Sequence, residues 1–123
     1  MRLPLPEGMV MGRVRDCRGI PLGGAQVVFR AADGHLPEVQ ETGYFVKEFP
    51  EPAMDFSSVD GLFLIANLPP GRGRVEVYVG DGSGPVEVAG IVVDVLAGGV
   101  TLADAHVGWP DGVVPPEVCE SCP

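Results

Sequence analysis

Lysine is nearly missing from this 123-residue chain, which has Lys47 alone, and histidine and cysteine are scarce: His35, His106, Cys17, Cys119 and Cys122. Eight basic residues face seventeen acidic ones, a formal net charge of -9. A surface of that sign repels phosphate backbones and anionic lipid heads, so neither nucleic acid nor an anionic membrane is an expected partner. No apolar run approaches the roughly 18 residues of a spanning helix, and no membrane insertion is expected. Met1-Arg2-Leu3-Pro4 lacks the apolar stretch of a secretory signal. The compartment stays open between cytoplasm and export with a partner. Three unevenly placed cysteines do not make a disulfide framework.

What is present is glycine and proline, 18 and 13 residues, set between alternating apolar runs. Regular alternation argues against disorder and for one loop-rich all-β domain. Met9 to Asp16 puts Val10, Gly12 and Val14 on one side, and Ala25 to Ala31 makes Val27 and Phe29 a core pair. Asp60 to Val79 reads as strand, tight corner and strand. Phe63 and Ile65 precede Asn67-Leu68-Pro69-Pro70-Gly71, and Val75, Val77 and Val79 follow it. Two prolines forbid a helix there, and Gly71 can take the positive φ that closes a corner. Val86 to Leu96 is a long strand whose phase shifts across Gly90, as at a bulge. Val100 to Val107 is the last strand, equally apolar on both faces.

Gly12-x-Val14-x-Asp16-x-x-Gly19-x-Pro21-Leu22-x-Gly24-Ala25-x-Val27, with Asp60-Gly61-x-Phe63-x-Ile65-x-Asn67-Leu68-Pro69-Pro70-Gly71 later, resembles the carboxypeptidase regulatory-like family. The resemblance covers about three quarters of the chain. It implies a transthyretin-like, Greek-key β-sandwich of about seven strands. Residues 60–79 would be its framework hairpin. Because such domains accompany peptidases, receptors, adhesins and oxidoreductases alike, the resemblance implies no reaction. The expected organisation is an arm over residues 1–8, a sandwich over 9–107 and a proline-rich tail over 108–123. Residues 32–59 form an insertion. So long a link implies one or two added strands, with strand character around Tyr44-Phe45-Val46.

Chemistry is sparse. Cys119 and Cys122 are spaced to hold one metal ion, but a closed zinc site needs four ligands, which a partner chain would have to complete. A tail disulfide, inert thiols and dithiol redox chemistry are the alternatives. His35 is expected at the surface and His106 bonded in a strand. Lys47 and Asn67 make an isopeptide bond conceivable, though such bonds join an early strand to the last one, whereas Lys47 lies in the insertion and Asn67 in the corner. Ser57 and Ser58 lack a histidine and read as turn caps rather than nucleophiles. No cofactor and no catalytic constellation are expected.

The insertion interleaves Glu38, Glu41, Glu48, Glu51 and Asp55 with Tyr44, Phe45, Phe49 and Phe56. Aromatics in a charged rim suit a protein-docking surface, and Trp109 in the tail is a further anchor. A solvated loop folded over its own aromatics is the plain alternative. The expected function is a non-catalytic accessory or structural subunit that binds protein partners. A carbohydrate or surface-adhesion module, and a metal- or thiol-dependent protein using Cys119 and Cys122, are the other readings.

Overall fold

The computed structural model describes residues 7–16, 18–46, 49–51, 55–80 and 84–107. These residues form strands and loops in two sheets. The larger is built from β1 (Gly8–Arg15), β3 (Glu41–Val46), β4 (Phe49–Pro50), β5 (Leu62–Leu68), β8 (Val100–Leu102) and β9 (Ala105–His106). Its order is β4-β3-β5-β1-β8, with β9 also paired to β1. The smaller sheet runs β2 (Ala25–Ala31), β6 (Gly71–Gly80), β7 (Pro85–Val95). Among the described residues no helix is long and apolar enough to cross a membrane.

Alternation places the core. Val10 and Val14 of β1 and Phe63 and Ile65 of β5 are fully buried, as are Val27, Phe29, Val75 and Val77 from the other sheet. Each such side chain contributes about 1.5–3 kcal/mol by leaving water. The two halves of the sequence signature meet on β1 and β5, where Gly12 lies opposite Phe63. The Val14 N–H donates to the Gly61 carbonyl at 2.8 Å.

Residues 60–79 are not a hairpin. β5 belongs to the larger sheet and β6 to the smaller, so the Pro69-Pro70 corner carries the chain across the core. Alternation cannot distinguish an arch from a hairpin, because either turns Phe63 and Val75 inward. Two prolines without N–H groups favour the arch, since a hairpin ladder would need donors near its turn. Asn67 sits before the corner. With φ of 61° it is the one described non-glycine residue at positive φ, at an irregularity that sets Gly8 opposite Leu68 but Val10 opposite Ile65.

Two other expectations are corrected. The bulge in β7 falls at Val88, between Ala89 opposite Val77 and Glu87 opposite Tyr78, rather than at Gly90. Gly90 instead makes room for a side chain: a Cβ there would lie 2.1 Å from the Arg74 guanidinium. The final strand is two short pieces, both parallel to β1. Between them Asp104 accepts the Arg13 N–H at 3.1 Å, so a side chain replaces one rung of the ladder. Ala103 and Ala105 face inward, whereas Val100 and Leu102 are exposed.

Candidate functional site

Residues 32–59 supply β3 and β4, and they also close the sandwich. β2 is an edge strand, and the backbone groups it turns away from β6 would otherwise be open to another chain. Side chains of the insertion occupy them one by one. The Ala25 N–H donates to Ser57 Oγ at 3.0 Å and the Val27 N–H to Tyr44 Oη at 3.0 Å. Thr42 Oγ1 donates to the Val27 carbonyl at 3.1 Å. Gln40 takes the Phe29 N–H and donates back to the Phe29 carbonyl, both at 2.9 Å. The Ala31 N–H ends on the His35 carbonyl. Tyr44 is thus a strut across the sandwich: its hydroxyl pKa is pushed up first by burial and further by the Asp55 charge, against the Val27 hydrogen bond.

The outer face of the smaller sheet is polar and centred on Glu76, a carboxylate that is only 5% exposed. Tyr78 Oη donates to its Oε1 at 2.8 Å and Arg30 Nε to the same oxygen at 3.1 Å. Arg74 Nη1 reaches Oε2 at 3.1 Å and Glu87 at 2.5 Å, lying flat where Gly90 has no side chain. Burial is the largest influence on the Glu76 pKa and raises it. The hydrogen bonds from Tyr78 and Arg30, the Arg30 charge and the Arg74 bond together outweigh it, so the carboxyl sits below its ordinary value.

That direction has a consequence for stability. A carboxyl whose folded pKa is depressed stabilises the fold fully above its unfolded value, about 4.3, and the contribution drains away as pH falls through the lower folded value. The urea midpoint of the native chain should therefore fall across this acidic window. Glu76→Gln should flatten that limb of the curve. Parallel pH profiles for the two proteins would show that Glu76 is not the linked group.

The outer face of the larger sheet is apolar over its Met9–Met11 end and carries Arg13 and Arg15 further along β1. Met9 and Met11 point outward from β1, opposite to Val10, and β5 turns out Leu62, Leu64 and Ala66. Registers align Met11 with Leu64 on one side and with Leu102 on the other, while Met9 lies beside Val100. Leu102 is 79% exposed and Val100 49%. Gly43, opposite Leu64, adds no side chain and leaves a hollow of about 470 Å³, rimmed by Glu41 and Glu51. The sandwich core covers the inner face of this sheet and leaves the apolar patch on the outer one without that cover.

The aromatics expected to dock a partner are separated by the fold. Tyr44 and Phe45 are buried and serve the sandwich itself, whereas Phe49 is 74% exposed and Phe56 49%. Trp109, Cys17, Cys119, Cys122 and Lys47 lie outside the described residues, and with them the metal, thiol and isopeptide readings. His35 is exposed in the turn after β2, its Nδ1 against Asp33, and His106 is half-buried in β9. Among the described residues no three histidines, cysteines or carboxylates gather where they could hold a metal ion. Ser58 does cap its turn, since Asp60 and Gly61 donate to it, but Ser57 is a buried strut. Sequence reading missed the apolar face, for which the run Leu62-Phe63-Leu64-Ile65-Ala66, apolar at both phases, was the available sign.

Comparison with protein-family models, with curated proteins and with solved structures returned no match.

Proposed function

We propose that this chain is a non-catalytic accessory sandwich of the carboxypeptidase regulatory-like type, with Greek-key, transthyretin-like topology, that docks a protein partner. Supporting the family reading, the two halves of its sequence signature lie side by side on β1 and β5. The apolar outer face of the larger sheet carries the functional reading. Its centre of methionine, leucine and valine is the composition of an interface core, and exposing it in water has no structural benefit to a lone sandwich. The partner's complementary face is apolar at its centre and basic where it meets the hollow, which Glu41 and Glu51 border, with an acidic group opposite Arg13 at the other end of β1.

Photo-crosslinking in native extract tests this, with the reactive group placed at Leu64 or, as a control on the opposite sheet, at Val92. One dominant protein adduct from Leu64 and none from Val92 is expected. Adding Met11→Glu should weaken capture about 100-fold, since an unpaired charge buried at an apolar contact costs ~3 kcal/mol. Equal labelling from both positions, or capture indifferent to Met11→Glu, would remove the basis of the proposal.

A further inference from the structure

A second surface lies at the end of the smaller sheet. Gln26 of β2 and Tyr78 of β6 are directly paired and both point outward. The insertion brings Phe56 up beside them, because Ser57 is pinned to Ala25 on both its backbone and its side chain. Pro85, at the start of β7, closes the other side. Together they line a pocket of about 350 Å³. Around the β2 edge a second hollow of about 400 Å³ continues from the same Gln26 to Thr42, Tyr44 and Asp55. Gln26 lines both hollows, and we treat the two as one groove about it.

Each wall has a distinct chemistry. Phe56 is 49% exposed and lines the first hollow. Tyr78 is held in orientation, its hydroxyl fixed on Glu76 Oε1 at 2.8 Å, so its ring is a rigid apolar wall. Gln26 spends one weak contact, Nε2 to the Asp55 carbonyl at 3.3 Å, and its Oε1 has no hydrogen bond among the described residues. Asp55 is exposed. An amide presents both donors and an acceptor, and a carboxylate two acceptors, on fixed planes.

We infer that this groove is a binding site for a neutral saccharide chain. A pyranose ring has an apolar face of axial C–H groups that suits an aromatic wall, and a rim of vicinal hydroxyls that suits a planar amide or carboxylate. Nucleotides are disfavoured because the charged residue lining the two hollows, Asp55, is acidic and the chain as a whole carries a net charge of -9. A peptide added as an extra strand is disfavoured as well: the free edge of β2 is already taken by Ser57, Tyr44, Thr42 and Gln40. The site rests on other residues than the apolar face, Phe56, Tyr78 and Gln26, although Thr42 and Tyr44 border hollows of both.

Nitrogen-15 and aromatic carbon NMR spectra of the full chain test the inference, titrated with cellohexaose, xylohexaose or mannohexaose, and with a decaproline peptide as the competing class. At least one hexasaccharide should move the Gln26 side-chain amide and the Phe56 and Tyr78 ring signals in a saturable way. Phe56→Ala and Gln26→Ala should each weaken that binding by about tenfold or more, equivalent to ~1.4 kcal/mol, with thermal melting unchanged. No movement with any of the three sugars at roughly 10 mM, where even a millimolar site would be mostly filled, overturns the assignment. Shifts that map elsewhere, shifts that survive both substitutions, or preferential binding of decaproline do so too.

Discussion

Replacing Gly12 by alanine is expected to lower the melting temperature by on the order of 20 °C or to prevent folding, a loss of about 4 kcal/mol or more. The reason is a contact between backbones. A Cβ on Gly12 would lie 1.6 Å from the Ala103 carbonyl oxygen and 2.6 Å from its carbon. That carbonyl belongs to the link between β8 and β9, tied to β1 by the Ala103 N–H on the Met11 carbonyl at 2.9 Å. No rotamer change relieves a clash between main-chain atoms, so the last strands must leave β1 or the sandwich must open. Gly43→Ala is the matched control: it too is a strand glycine, yet nothing lies within 4 Å of its added methyl, and its stability should be nearly unchanged. Circular dichroism melts of both variants decide the matter. A Gly12→Ala protein that melts within about 5 °C of the native chain would show that β8 and β9 are not seated as described.

Ser57→Ala is expected to cost about 2–4 kcal/mol, far more than the ordinary removal of a hydroxyl from a loop. Ser57 is 1% exposed. Its Oγ accepts the Ala25 N–H at 3.0 Å and donates to the Leu22 carbonyl at 2.9 Å. Alanine leaves the buried Ala25 donor and the part-buried Leu22 acceptor without partners, and it unpins the start of the β2 edge. Ser58→Ala is the comparison, because Ser58 Oγ meets the Phe45 carbonyl at 2.6 Å in a half-buried turn where water can substitute. About 1 kcal/mol is expected there. Urea unfolding at constant slope measures both. Equal losses for the two serines would mean that Ser57, like its neighbour, is only a turn cap.

These two predictions separate what is local from what is not. Both serines read alike in the sequence, as polar residues before an Asp-Gly turn, and both glycines read alike as gaps in a strand. Ser57 differs because its partners, Leu22 and Ala25, lie more than thirty positions away along the chain. Tyr44 and Phe45 misled for the same reason. An aromatic in an acidic insertion has the composition of a docking loop, and only the position of Val27 across the sandwich makes the Tyr44 hydroxyl an internal acceptor. The polar network was equally hidden. Arg30, Arg74, Glu76 and Glu87 sit on three strands, and their charges alternate with valines as any solvated face would.

By itself the sequence determined the all-β class, the inward residues of β1, β2, β5 and β6, and the place of the corner at Pro69-Pro70. Those are consequences of a two-residue period and of residues that restrict φ or lack a donor, and both act within a few positions of chain. The tertiary structure alone decided that the corner crosses between sheets, and that the insertion caps an edge strand. It also decided that the second apolar face of the larger sheet has no covering element among the described residues. Those depend on which strands become neighbours, a choice made by the summed burial of both sheets rather than by any one stretch of sequence.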